Sequence, residues 1–121
     1  MSVLPAFCNI VVSAIFDHCA AASCASLDFV VNHGLPTRSS EVSGVLSIPS
    51  TTGVAAVQMV NVSVVSGLPV DLVLGLDWLH LVHASSPDAV VHLSSGPLNV
   101  QQCVSIATHG YAQDNVAPLA T

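Results

Sequence analysis

Asp17 stands at the end of the apolar run 10–16 and is followed at once by His18 and Cys19, with Cys24 a little further on. A carboxylate held at the mouth of a strand is one way to fix a general acid or base over a cleft. The plainer role for the same residue is a helix cap, accepting from the amides of the turn it begins. His18, Cys19, Cys24 and Cys8 are metal-ligating types. Their spacing offers no second C-x-x-C and no H-x-x-x-H, so no metal site is expected. His18 and Cys19 are also the types of a thiol–imidazole nucleophile pair, but adjacent residues on a turn rarely point at one another. His80, His83, His92 and His109 read as ordinary surface or half-buried imidazoles.

The elements that must position Asp17 follow from composition and pattern. At 121 residues the chain has room for one core and not for two lobes. Hydrophobic residues make up 52% and aromatics only 4%, so apolar volume comes from Val, Leu and Ala, a balance that leans toward strands. Charged residues are 7%, too few to cover a small surface, and some exposed apolar area is expected to mark an interface. Seven acids face a single base, Arg38, with no lysine at all. Phosphate binding depends on Lys and Arg, so nucleic acid is excluded as a partner, and an anionic membrane surface is disfavoured for the same reason. No apolar run reaches the roughly 18–20 residues of a membrane span. The start Met-Ser-Val-Leu-Pro lacks the basic opening of a signal peptide, so a cytoplasmic chain or an excised domain is the default expectation. The four cysteines then read as reduced, mostly buried thiols. The sequon at Asn61 carries little weight inside an apparent strand.

Along the chain, residues 3–7 read as a short strand entered through Pro5, and Cys8-Asn9 as a turn. Residues 10–16 read as one strand covered on both faces. Small residues with Leu27, Val30 and Val31 predict a helix over 20–31, stopped by Gly34 and Pro36. After a polar link at 37–41, residues 42–65 have strand composition broken at 49–53, which predicts a hairpin with its tip there. A turn at 66–69 leads into a strand at 70–75 and a short helix at 78–83, stopped near Pro87. A last hairpin is expected from strands at 89–93 and 98–104.

Two of these segments carry a pattern. Asp17-His18-Cys19-Ala20 through Ser26, closing on His33-Gly34-Leu35-Pro36, resembles the active-site stretch of retropepsin-like aspartic proteases of gypsy-type long-terminal-repeat retrotransposons. Their pattern is roughly Asp-(Ser/Thr)-Gly-Ala-(Ser/Thr)-x-Ser-Phe-(Ile/Val)-Ser, a short helix, then His-Gly-Leu-Pro. Residues 71–79, Asp-Leu-Val-Leu-Gly-Leu-Asp-Trp-Leu, are similar to the second signature of the same family. The resemblance covers about residues 3–104.

The resemblance implies an all-β fold with one or two short helices, a retropepsin-like closed β-barrel of a single lobe spanning residues 1–106. A loosely ordered tail would follow at 107–121. It also implies a homodimer in which each chain contributes Asp17, the catalytic residue. Two carboxylates that close share one proton, one acting as base on a water while the other donates to the peptide carbonyl. The substrate would be a peptide or polyprotein, covered by a flap of Ile48, Pro49, Ser50, Thr51, Thr52 and Gly53. Leu74, Gly75, Asp77 and Trp78 would form a structural second motif, and no cofactor is implied. The active-site loop departs from the pattern at His18, where Ser or Thr stands, and at Cys19, where Gly stands, while Ala20 matches. Cys24-Ala25 replaces a bulkier pair. These departures lead to the expectation of weak or absent proteolysis. The alternative is a non-catalytic dimerisation or peptide-binding module on the same fold.

Overall fold

A computed structural model describes residues 4–51 and 53–106 of the chain. The expected tail at 107–121, residue 3 of the first strand and Thr52 of the hairpin tip lie outside the described residues. The fold is mostly β with a few short helices. Seven strands form one curled, half-barrel sheet in the order β2-β1-β5-β6-β4-β7-β3, and β8 and β9 form a separate hairpin.

β1 (Ala6–Phe7) and β2 (Ile10–Val11) are joined by Cys8 and Asn9, both left-handed at φ 53 and 64. Left-handed residues at both central positions are what a two-residue hairpin turn needs to match strand twist. β1 then pairs antiparallel with β5 (Glu41–Ile48), which pairs along its whole length with β6 (Ala56–Val65). In this long hairpin Val42, Leu46 and Ile48 of β5 and Ala56, Val60 and Val62 of β6 are buried. The reverse face presents Val45, Val57 and Met59 to solvent, with Val11 on β2 58% exposed. Sparse charge does leave apolar side chains outside, as expected.

Three expectations for local structure are corrected. Residues 10–16 are not one strand: β2 ends at Val11, and β3 (Ala14–Phe16) begins a separate pairing after Val12 and Ser13. The helix expected over 20–31 is split. Residues 24–26 form β4 (Cys24–Ser26), and only α1 (Leu27–Asn32) is helical. Alanine there favours helix, but pairing with β6 and β7 (Leu72–Leu74) on either side overrides that local preference. The strand expected at 98–104 also divides, into β9 (Gly96–Asn99) and α3 (Val100–Ser105), because Asn99 caps a helix by accepting from the Gln102 amide at 2.9 Å. The stop at Gly34 is as expected, with φ at 60.

α2 (Leu76–Ser85) packs Trp78, Leu79 and Val82 into the core beside Leu72 and Leu74 of β7. β8 (Val90–Leu93) adds Val91 and Leu93. Among the described residues no helix is long and apolar enough to cross a membrane.

Candidate active site

β7 is the strand on which the site is built. It lies between β3 and β4, parallel to the first and antiparallel to the second. Apolar Leu72 and Leu74 are fully buried, which fits a strand with neighbours on both edges. Parallel pairing aligns Phe16 with Leu74, so both strands end together and both chains of residues leave the sheet side by side. Asp17 follows Phe16, and its amide donates to the Leu74 carbonyl at 2.9 Å.

The entrance to this pairing is clasped reciprocally by Ser13 and Asp71. The Ser13 amide donates to Asp71 Oδ2 at 3.0 Å, and the Asp71 amide donates to Ser13 Oγ at 2.9 Å. On its other side β3 is held by Ser94, whose Oγ accepts from the Ala14 amide at 2.8 Å and whose amide donates to the Ala14 carbonyl at 2.9 Å.

Beyond β3 the loop at residues 17–23 turns back on itself. The Ala20 amide donates to the Asp17 carbonyl at 3.0 Å, and the Cys19 amide donates to Asp17 Oδ1 at 2.9 Å. One carboxylate oxygen is therefore oriented by backbone, while the Asp17, His18 and Cys19 side chains are exposed. Cys19 is not among the left-handed residues, so a side chain at this position puts no left-handed strain on its own chain.

The rear of the loop is locked to the second motif. Ser23 is 1% exposed, and its Oγ donates to Asp77 Oδ1 at 2.7 Å while accepting from the Gly75 amide at 3.0 Å. The Ser23 amide donates to Asp77 Oδ2 at 3.1 Å, and Asp77 Oδ1 also takes the Trp78 amide at 2.7 Å, capping the first turn of α2 from within. The Leu76 and Asp77 amides donate in turn to the Ala20 and Ala21 carbonyls at 2.9 and 3.3 Å. The contact is close enough to require Gly75. A Cβ there would lie 2.6 Å from the Ala20 carbonyl oxygen and 2.9 Å from the Ala22 carbonyl carbon, both backbone atoms. Trp78 is buried beneath, its ring 5.9 Å from that of Phe16.

The structure thus brings Asp17, His18, Cys19 and Ala20 together with Leu74, Gly75, Asp77 and Trp78. Ser23 and Asp71 were not singled out from the sequence as site residues. The signal for Ser23 was present, since it matches a Ser of the family pattern, but a small hydroxyl in a small-residue run has no visible partner until the fold supplies one.

The hairpin tip is placed differently. Ile48 is fully buried, and the Pro49 carbonyl accepts from the His92 amide at 2.7 Å. Ser50 bridges to Val91, and the Thr51 amide donates to the Val90 carbonyl at 3.0 Å. Gly53 turns the tip with φ at 86, its amide donating to the Ser50 carbonyl at 3.1 Å. Pro49, Ser50 and Thr51 are therefore joined to β8 as an extra strand segment.

Among the described residues no cluster of three or more His, Cys, Asp or Glu could hold a metal ion. Burial pushes the Cys8 and Cys103 thiols above the ordinary thiol value. The sequence matches no protein-family model and no curated protein.

Proposed function

We propose that this chain is one half of a retropepsin-like aspartic endopeptidase site, completed by a second copy and carrying weak or no proteolysis. The observation that carries this reading is the locked loop: a strand-end carboxylate faces solvent while Ser23, Gly75 and Asp77 fix the backbone behind it. Such support behind an exposed acid is what precise placement of a catalytic group requires. Two Asp17 side chains meeting across a two-fold axis would hold one proton between them. The ionised one takes a proton from water, and the protonated one donates to the peptide carbonyl.

His18 and Cys19 limit this chemistry at the axis and not within the chain. The Cys19 amide still orients Asp17, but its side chain and that of His18 stand exposed where the second copy would approach. Neither supplies the hydroxyl that the family pattern places after the Asp. Misplacement of reacting groups by about 1 Å costs on the order of 100-fold in rate.

The double variant His18→Ser/Cys19→Gly tests the reading. It is expected to cleave a peptide library at acid pH in a pepstatin-sensitive manner, with a gain of about 100-fold over the parent. Asp17→Asn in that background is expected to abolish the gain. Absence of any gain, or a gain that survives Asp17→Asn, overturns it.

A second reading is favoured by the hairpin tip. The Pro49 carbonyl, accepting from His92, and the Thr51 amide, donating to Val90, engage with β8 the segment that would otherwise fold over a substrate. On that ground the chain acts as a non-catalytic dimerisation module on the same fold. It then sediments as a dimer with or without Asp17→Asn, and the double variant gains nothing. A stable monomer is incompatible with both readings.

A further inference from the structure

A cavity of about 320 Å³ lies between the hairpin tip and the turn that follows α2, and none of its lining comes from the Asp17 loop. One wall is Ser50 with residues 54–56, and the other is residues 86–89. Each wall is held by its own turn. The Ser50 hydroxyl donates to the Val54 carbonyl at 2.5 Å, and the Ala89 amide donates to the Ser86 carbonyl at 3.1 Å across Pro87, whose fixed φ suits that position. The bonds from Thr51 to Val90 and from His92 to Pro49 tie the walls together. The cavity is thus formed before anything enters it, and filling it orders little backbone.

Its chemistry is two-part. Ala55, Ala56, Pro87 and Ala89 give a floor of small apolar groups, and Asp88 is the one charged residue among the described lining. Arg38, the chain's one Lys or Arg, lines a separate cavity beside Pro36 and Asn61. A slim methylene stem ending in a compact ammonium matches small apolar walls and one carboxylate at the rim. The size is at the lower limit for ligand sites, enough for one long side chain and the backbone that bears it.

We propose that this cavity is a docking site for a lysine side chain of a partner protein, its stem between residues 54–56 and 86–89 and its ammonium on Asp88. The whole molecule favours such an occupant, since a formal net charge of −6 draws basic partners. A second copy of this chain cannot supply it, because the sequence contains no lysine. The site is independent of Asp17 and stands or falls apart from the peptidase reading.

The test is a titration of the isotopically labelled full chain with acetyl-Gly-Ala-Lys-Ala-Gly-amide, followed by amide chemical shifts. Saturable shifts confined to residues 54–56 and 86–89 are expected. Replacing the lysine by norleucine, or Asp88→Asn in the chain, should weaken binding about three- to fivefold, the range for an exposed ion pair. Ala55→Leu, at an exposed position on the wall, should fill the cavity and abolish the shifts with the rest of the spectrum unchanged. Dispersed or unsaturable shifts, or equal binding by the norleucine peptide or by Asp88→Asn, overturn the proposal. Equal affinity for n-butylamine overturns the protein partner in favour of a free amine.

Discussion

The loop at residues 17–23 is locked by buried side chains in addition to its backbone bonds, whereas the hairpin tip is tied to β8 through main-chain groups. In the loop, Ser23 Oγ and both oxygens of Asp77 satisfy amides from three directions, over a core of Trp78 and Phe16. At the tip, main-chain groups of Pro49 and Thr51 meet main-chain groups of β8. Side-chain locks tie a conformation to particular residues, and replacing one of them orphans the others. Backbone locks tolerate almost any side chain and fail only where the donor itself is removed.

Three substitutions probe this difference, each read by urea unfolding. Trp78→Ala takes away the floor of the loop and should cost about 3–5 kcal/mol, the range for emptying a large buried site. A cost near 1 kcal/mol would mean the loop's frame does not depend on that ring. Ser23→Ala leaves the Gly75 amide without its partner and takes one of two donors from Asp77 Oδ1, and should cost about 1–3 kcal/mol. The Asp17 carboxylate should then lose its fixed relation to the Cys19 amide, read as faster hydrogen exchange at Cys19. Thr51→Pro removes a single donor to Val90 and should cost about 1 kcal/mol, with faster exchange at His92 and none at Cys19. If Thr51→Pro loosens Cys19 as well, the two regions are one cooperative unit and the contrast between them dissolves.

The same contrast explains what the sequence made legible. The strand running into Leu76-Asp77-Trp78, the close approach at Gly75 and the buried Trp all carry residue types that few other arrangements need. The long hairpin was readable from its composition and from Pro49 and Gly53. The attachment of its tip to β8 was not, because hydrogen bonds between main chains leave no residue signature. The small residues through β4 point to helix because Ala favours it, and the two flanking strands that override this come about 40 and 50 residues later in the chain. α3 was missed for a related reason: Asn99 caps a segment whose Val100, Cys103 and Val104 suit either state.

The position of β7 between β3 and β4 also sets an order of events. The partners that fix β3 and Ser23 are separated from them by more than 50 residues, as with Ser13 and Asp71 at 58 and Ser23 and Gly75 at 52. Closing so long a loop precedes any reward from the contacts it brings, so this pairing forms slowly compared with the β5–β6 hairpin. A nascent chain carries its acid early and has nowhere to put it until residues 71–78 have emerged and threaded between two waiting strands. The carboxylate thus precedes its frame in the chain and is among the last groups to find its place.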